Sequence, residues 1–220
     1  DKDFDYLDSN KKEFVKTVLP IIINENQNIL MIRSFVSELK GKLETFRTLN
    51  NKEIRKLNEI AEKYNIKYDN KHKLDLVDEI LSNVDIIPNS IALAQAAIES
   101  GWGKSRFAKE YNALFGEYTY DNSKGVIPLE RENGDTHLIK AFSSYSNSVE
   151  SYFDNINSHN AYEDFRDIRN IMRERNNFSN VNLLVNKLST YAEDENYIKT
   201  IRQVIKTNNF SIFDQKTITY

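Results

Sequence analysis

The stretch Ile91–Ile98 holds a single polar side chain, Gln95, and is followed at once by a carboxylate, Glu99. Pro88 suits the first turn of a helix, where a missing N–H costs nothing. Gly101 suits the left-handed residue that closes one. A helix that is apolar nearly all round has to be enclosed by other elements. The rest of the chain must therefore be built around this segment, with Glu99 in the last turn of a central helix.

What surrounds it reads as mainly α. Gly (6) and Pro (3) are scarce among 220 residues, which favours long helices over a turn-rich sandwich. Residues 11–84 read as a series of helices with one apolar face each. Val15, Val18, Leu19 and Ile22 form a first stripe, in which Pro20 is expected to kink or split the helix. Ile32, Phe35, Val36, Leu39, Leu43 and Phe46 continue at helical spacing. Ile54, Leu57, Ile60, Ala61 and Tyr64 make another stripe, and Leu74, Val77, Ile80, Leu81 and Val84 a fourth.

From about Tyr118 to Phe142 the helical period disappears. Gly125-Val126-Ile127-Pro128, with Asn133-Gly134 between Leu129 and Leu138, predict short strands and a tight turn, hence a small β-lobe. Helices resume near Ser146, where Asn147 and Glu150 have capping-box spacing. The expected organisation is an N-terminal helical region over 1–84 and a second domain over 85–220 that holds the β-lobe.

Charge and composition remove several classes of function. The net charge of −3, with both signs mixed along the chain, lacks the basic footprint of a nucleic-acid binder. The absence of cysteine excludes disulfides, thiolate metal sites and thiol nucleophiles. His72, His137 and His159 are too far apart for metal-ligand spacing, so no metal and no cofactor is expected. The apolar runs Val18–Ile23 and Ile91–Ile98 fall well short of a membrane span. The sequence begins at Asp1 with no visible signal peptide. It reads as a processed or truncated chain whose export signal, membrane anchor or partner protein would lie outside these residues.

Glu99 is the residue with chemical promise. A carboxylate at a helix C-terminus faces the negative end of the macrodipole, and apolar burial also disfavours its ionised form. Both effects favour a general acid able to hold its proton near neutral pH. Cleavage of a glycosidic bond needs such a donor, with a second carboxylate or an activated water opposite. The plain alternative is an ion pair with Lys104 or Arg106. Trp102, the sole tryptophan, lies three residues on, and Phe115, Tyr118 and Tyr120 border the β-lobe. Aromatic rings pack well against the C–H faces of sugars; the alternative is that they fill the joint between lobes.

The run Ala94-Gln95-Ala96-Ala97-Ile98-Glu99-Ser100-Gly101-Trp102-Gly103, followed by Ser105-Arg106-Phe107-Ala108, resembles the signature of the bacterial glucosaminidase family of peptidoglycan hydrolases. So do Ala113-Leu114-Phe115-Gly116-Glu117-Tyr118-Thr119-Tyr120, Gly125-Val126-Ile127-Pro128, Arg131, Gly134, Thr136-His137 and Phe142. Their order is most similar to the Bax-like branch, as are Ser148–Tyr152, Asn160-Ala161-Tyr162 with Phe165-Arg166, and Tyr191-Ala192-Glu193-Asp194 with Tyr197. The segment Phe14–Arg33 resembles the start of such proteins. Most of the chain is covered.

The resemblance implies a two-lobed, lysozyme-like fold and an endo-acting hydrolase cutting peptidoglycan after N-acetylglucosamine outside the cytoplasm. It implies Glu99 as the essential acid and Tyr191 nearby, orienting Glu99 or the attacking water; the alternative for Tyr191 is a hydrogen-bonded core tyrosine. For the second carboxylate, Glu130 is favoured on position, with Glu132 facing the same side of a strand. Glu117 is the rival, Asp121 and Asp135 remain open, and the substrate's own N-acetyl group could serve instead. A lytic transglycosylase using Glu99 as sole acid and base is the competing enzyme. A non-catalytic wall-binding protein is the third reading.

Overall fold

The computed structural model describes residues 4–127, 137–178, 180–192 and 194–216. They are mainly helical, with one small antiparallel sheet. Contacts divide the chain into two compact units. One comprises Asp1–Glu25, Pro88–Tyr152 and Lys199–Tyr220, the other Asn26–Ile87 and Phe153–Ile198.

Helix α1 runs unbroken from Ser9 to Glu44 with Pro20 inside it, so the expected split does not occur. The stripe interrupted by Pro20 and the one from Ile32 to Leu43 lie on this single helix, while Phe46 falls beyond its end and is exposed. Proline removes one backbone hydrogen bond, and the burial of Val15, Val18, Leu19 and Ile22 around it outweighs that loss.

In the first unit the centre is α4 (Asn89–Glu99), whose residues 89–97 are all buried. Its one interior polar side chain is accounted for: Gln95 Oε1 accepts a hydrogen bond from the buried Tyr152 hydroxyl at 2.6 Å. Pro88 is the N-cap and supplies no side-chain bond. The first turn of α4 is met instead by the 3-10 helix Phe210–Lys216, through one backbone N–H and two side chains. Asp214 accepts from the Ser90 N–H and from the Ser90 hydroxyl, both at 2.7 Å, and Phe213 O accepts from Asn89 Nδ2 at 2.8 Å. Burial pushes the Asp214 carboxyl up to about 6, against the pull of the Ser90 hydrogen bonds.

After α4 come α5 (Arg106–Tyr111), β1 (Tyr118–Thr119), β2 (Gly125–Val126), β3 (Leu138–Lys140) and α6 (Tyr145–Ser158). The strands pair antiparallel in the order β1-β3-β2, with Tyr118 and Val126 both opposite Ile139. This is the expected β-lobe; the Asn133-Gly134 turn lies outside the described residues. Helix α6 is capped by Ser144, whose hydroxyl accepts the Asn147 N–H. Asn147 is therefore inside the first turn and is not the cap.

The second unit holds the later part of α1, with α2 (Asn51–Lys63), α3 (Lys73–Asn83), the end of α6, α7 (Glu163–Glu174) and α8 (Asn182–Val185). Asn50 and Glu53 form a complete capping box at the start of α2. Leu57 and Ile60 bury the expected face of α2, and Val77 and Ile80 that of α3, where Leu76, outside the expected stripe, is also buried and Leu74 and Leu81 are only half-buried.

The interior of this unit is fastened by Asp85, which is fully buried. Arg173 holds it through Nε at 2.8 Å and Nη2 at 2.5 Å, and Arg33 Nε lies 3.4 Å away. Arg169, also fully buried, donates to the carbonyls of Asp85, Ile86 and Asn83. Arg33 caps the end of α3 through Leu81 O and Val84 O. Three guanidinium groups around one carboxylate are tolerated because these carbonyls take up further donors, although the buried Arg169 Nε has no partner among the described residues. Burial lowers the Arg169 pKa to about 9, while Asp85 opposes the loss of its charge.

Candidate active site

Helix α4 ends on Glu99, with Ser100 as its C-cap. Gly101 has φ +56°, and its N–H donates to Ile98 O while the Trp102 N–H donates to Ala97 O at 2.8 Å. That pair of bonds is a Schellman closure, which needs a left-handed residue just beyond the cap. The Ser100 hydroxyl donates to Ala96 O and accepts the Gly103 N–H, folding the turn tightly back. Glu99 is left half-buried on the last turn of a rigid, enclosed helix.

Its carboxylate meets the segment that leads into the β-lobe. This segment is held by Leu114 N–H donating to the buried Ser148 hydroxyl and by Asn112 Nδ2 donating to Phe142 O. It brings Gly116, at φ +63°, against Glu99, so that a Cβ on Gly116 would lie 3.0 Å from Glu99 Oε2. Gly116 belongs to the family pattern, which by itself gives it no role. Only its position after Phe115, in a run with few other glycines, signals a close backbone approach.

Arg106, one of the partners considered for Glu99, lies 3.7 Å from Glu110 and stacks its guanidinium over Phe107. Lys104 makes no ion pair among the described residues.

Glu117 follows Gly116 directly. Burial raises its pKa, while Lys140 and a hydrogen bond from Ser151 pull it down. Lys140 Nζ donates to Ser151 Oγ at 2.5 Å, and Glu117 Oε2 is shut off from solvent with no partner among the described residues. Glu130, with Glu132 and Asp135, lies outside the described residues. Asp121 is engaged in its own turn, accepting from the Ser123 N–H and hydroxyl.

The aromatic candidates divide. Tyr118 and Tyr120, 63% and 76% exposed, present free ring surface on and beside β1. Phe115 is 1% exposed and stacks face to face on Tyr152 at 4.0 Å. It offers no face to a sugar and instead packs the segment that holds Gly116. Trp102 is half-buried with φ +59°, its ring edge-on to Phe14 and Phe210 and under the Lys11 ammonium at 4.9 Å. His137 lies against the Tyr118 ring at 4.3 Å. Tyr191 belongs to the second unit, where it stacks parallel to Tyr197 at 5.8 Å and lies 6.2 Å from Tyr162. No helix among the described residues is long and apolar enough to cross a membrane.

A helical chain with a glutamate closing its central helix beside a small antiparallel sheet matches a known group. Residues 74–210 fit the glucosaminidase family, described as mannosyl-glycoprotein endo-beta-N-acetylglucosaminidase. The chain belongs to this family of glycoside hydrolases, and within it to the Bax-like branch. It is 31% identical over 184 residues to protein Bax of Escherichia coli K12, covering 83% of this chain and 63% of that protein. The peptidoglycan hydrolase FlgJ of Escherichia coli O157:H7 is 37% identical over 92 residues, 37% of this chain and 29% of FlgJ. The chain thus spans less than two thirds of the length of either relative. Among solved structures, the catalytic domain of the autolysin Auto from Listeria monocytogenes aligns with a TM-score of 0.45 and 19% identity, covering 81% of this chain and 96% of that domain.

Proposed function

We propose that the protein hydrolyses the glycan strands of peptidoglycan after N-acetylglucosamine, with Glu99 protonating the leaving glycosidic oxygen. The observation that carries this is the seating of Glu99: last turn of a buried helix, carboxylate against the bare backbone of Gly116. A proton donor has to be held in a fixed position beside the bond it cleaves, and the buried helix and the close approach of Gly116 suit that need. The peptidoglycan hydrolase FlgJ among the relatives supports the substrate. Tyr118 and Tyr120 are the proposed sugar platforms.

Glu130 is proposed as the second carboxylate. Glu117 supports this indirectly, since its shielded Oε2 and its attachment to Lys140 and Ser151 suit a group that holds the segment rather than one that activates water. Tyr191, which the family resemblance implies as a further catalytic residue, stays a candidate on that ground alone. The catalytic machinery is assigned to 85–220, after the N-terminal helical region 1–84, and the site of action to the cell envelope.

The test is mass spectrometry of borohydride-reduced fragments from digested, purified peptidoglycan. Reducible N-acetylglucosamine ends are expected. Anhydro-muramyl ends, lighter by one water, would move the chain to the transglycosylases. Intact strands with a folded protein would make it a binding protein.

A further inference from the structure

In the first unit a pocket of about 520 Å³ opens between α1, the turn after Glu99 and the starts of α5 and α6. Its apolar wall is Phe14 with Trp102, and this wall is built rather than incidental. Trp102 adopts a left-handed backbone that non-glycine residues rarely take, and the strain is met by the edge contacts to Phe14 and Phe210. A Cβ on Gly103 would come within 3.2 Å of the Phe14 ring, so turn and helix are closely fitted.

The rim carries both signs of charge. Lys104 and Lys109 are exposed, and neither ammonium makes an ion pair among the described residues; nor does the Glu13 carboxylate on the facing helix. Tyr145 also lines the pocket. Two free cations, one free carboxylate and an aromatic wall suit a short extended ligand bearing carboxylates and an amine. Only three peptide units separate Trp102 from Glu99, which keeps their Cα atoms within about 11 Å.

We infer that this pocket receives the stem peptide carried by the muramic acid next to the cleaved bond, an inference that rests on the peptidoglycan reading above. The peptide's carboxylates meet Lys104 and Lys109, its diamino-acid amine meets Glu13, and its methyl groups lie on Trp102. The enzyme thereby prefers peptide-bearing strands to bare glycan.

Trp102 is the sole tryptophan, so its emission reports this pocket alone. Titration with the free pentapeptide L-Ala-γ-D-Glu-L-Lys-D-Ala-D-Ala is expected to change that emission saturably in the wild type. In a Lys104→Glu, Lys109→Glu variant, shown folded by circular dichroism, affinity should fall by about tenfold or more. In parallel, wild type and variant digest intact peptidoglycan and the same material stripped of peptides by an amidase. The wild type should favour the intact polymer, and the variant should lose that preference while cutting stripped glycan at the wild-type rate. No saturable response, or equal affinity and equal preference in the variant, overturns the inference. A response without cleavage of either polymer keeps the pocket and removes the hydrolase reading; cleavage without a response does the reverse.

Discussion

The Glu99 carboxylate lies on Gly116, close enough that a single added methyl group would come within 3.0 Å of Oε2. The glycine also has φ +63°, which an L side chain adopts only with strain. Gly116→Ala should therefore displace the acid as well as strain the backbone. We expect kcat to fall by about a hundredfold, since small misplacements of catalytic groups cost that much. The stability loss should be only about 1–2 kcal/mol. Turnover and thermal unfolding of the same preparation separate the two effects.

Glu117 and Glu130 make different predictions. Glu117→Gln keeps the shape of a shielded side chain tied to Ser151 and Lys140, and activity should stay within about tenfold of wild type. Glu130→Gln removes the proposed water-activating group and should cost about 10²-fold to 10⁴-fold in kcat. Rates of both variants on peptidoglycan decide the matter, and the opposite order would make Glu117 the second carboxylate.

Asp214 predicts a pH dependence of stability. Its carboxyl is raised from 3.8 to about 6 by burial, so the folded state binds the proton more tightly than the unfolded chain. Stability from this group is complete below 3.8 and declines as pH rises through the window up to about 6. The expected decline is about 3 kcal/mol at most. Urea unfolding across that window should show it, and Asp214→Asn should flatten it. An unchanged slope in the variant would contradict the assignment.

Asp85→Asn removes the charge on which Arg33 and Arg173 converge, in an interior that also encloses Arg169. Breaking a buried ion pair from one side leaves uncompensated charge and costs about 3–5 kcal/mol. Denaturant unfolding should register that loss, with the slope unchanged if the folded state keeps its shape.

Much of this was legible in the sequence because it depended on local pattern. The apolar run Ile91–Ile98 bounded by Pro88 and Gly101 placed α4 and put Glu99 at its end, and the loss of period near Tyr118 located the β-lobe. Pro20 misled because a proline's local cost is visible in sequence whereas the burial that outweighs it is not. Phe115 misled for a similar reason: an aromatic beside a β-lobe reads alike whether it faces a sugar or Tyr152. The Asp214–Ser90 clasp and the three arginines around Asp85 join residues more than fifty positions apart, beyond the reach of any local pattern. Gly116 lay between, present in the motif but given meaning only by the atom it touches.

The central claim is that Glu99 is the acid that cleaves the glycan strand. The most direct measurement is release of reducing sugar ends from purified peptidoglycan by wild type and by Glu99→Gln, with both proteins shown to melt at similar temperatures. The account predicts release by the wild type and a loss of about a thousandfold or more in the variant. Release by Glu99→Gln at a rate near that of the wild type would contradict it and move the chemistry to another residue.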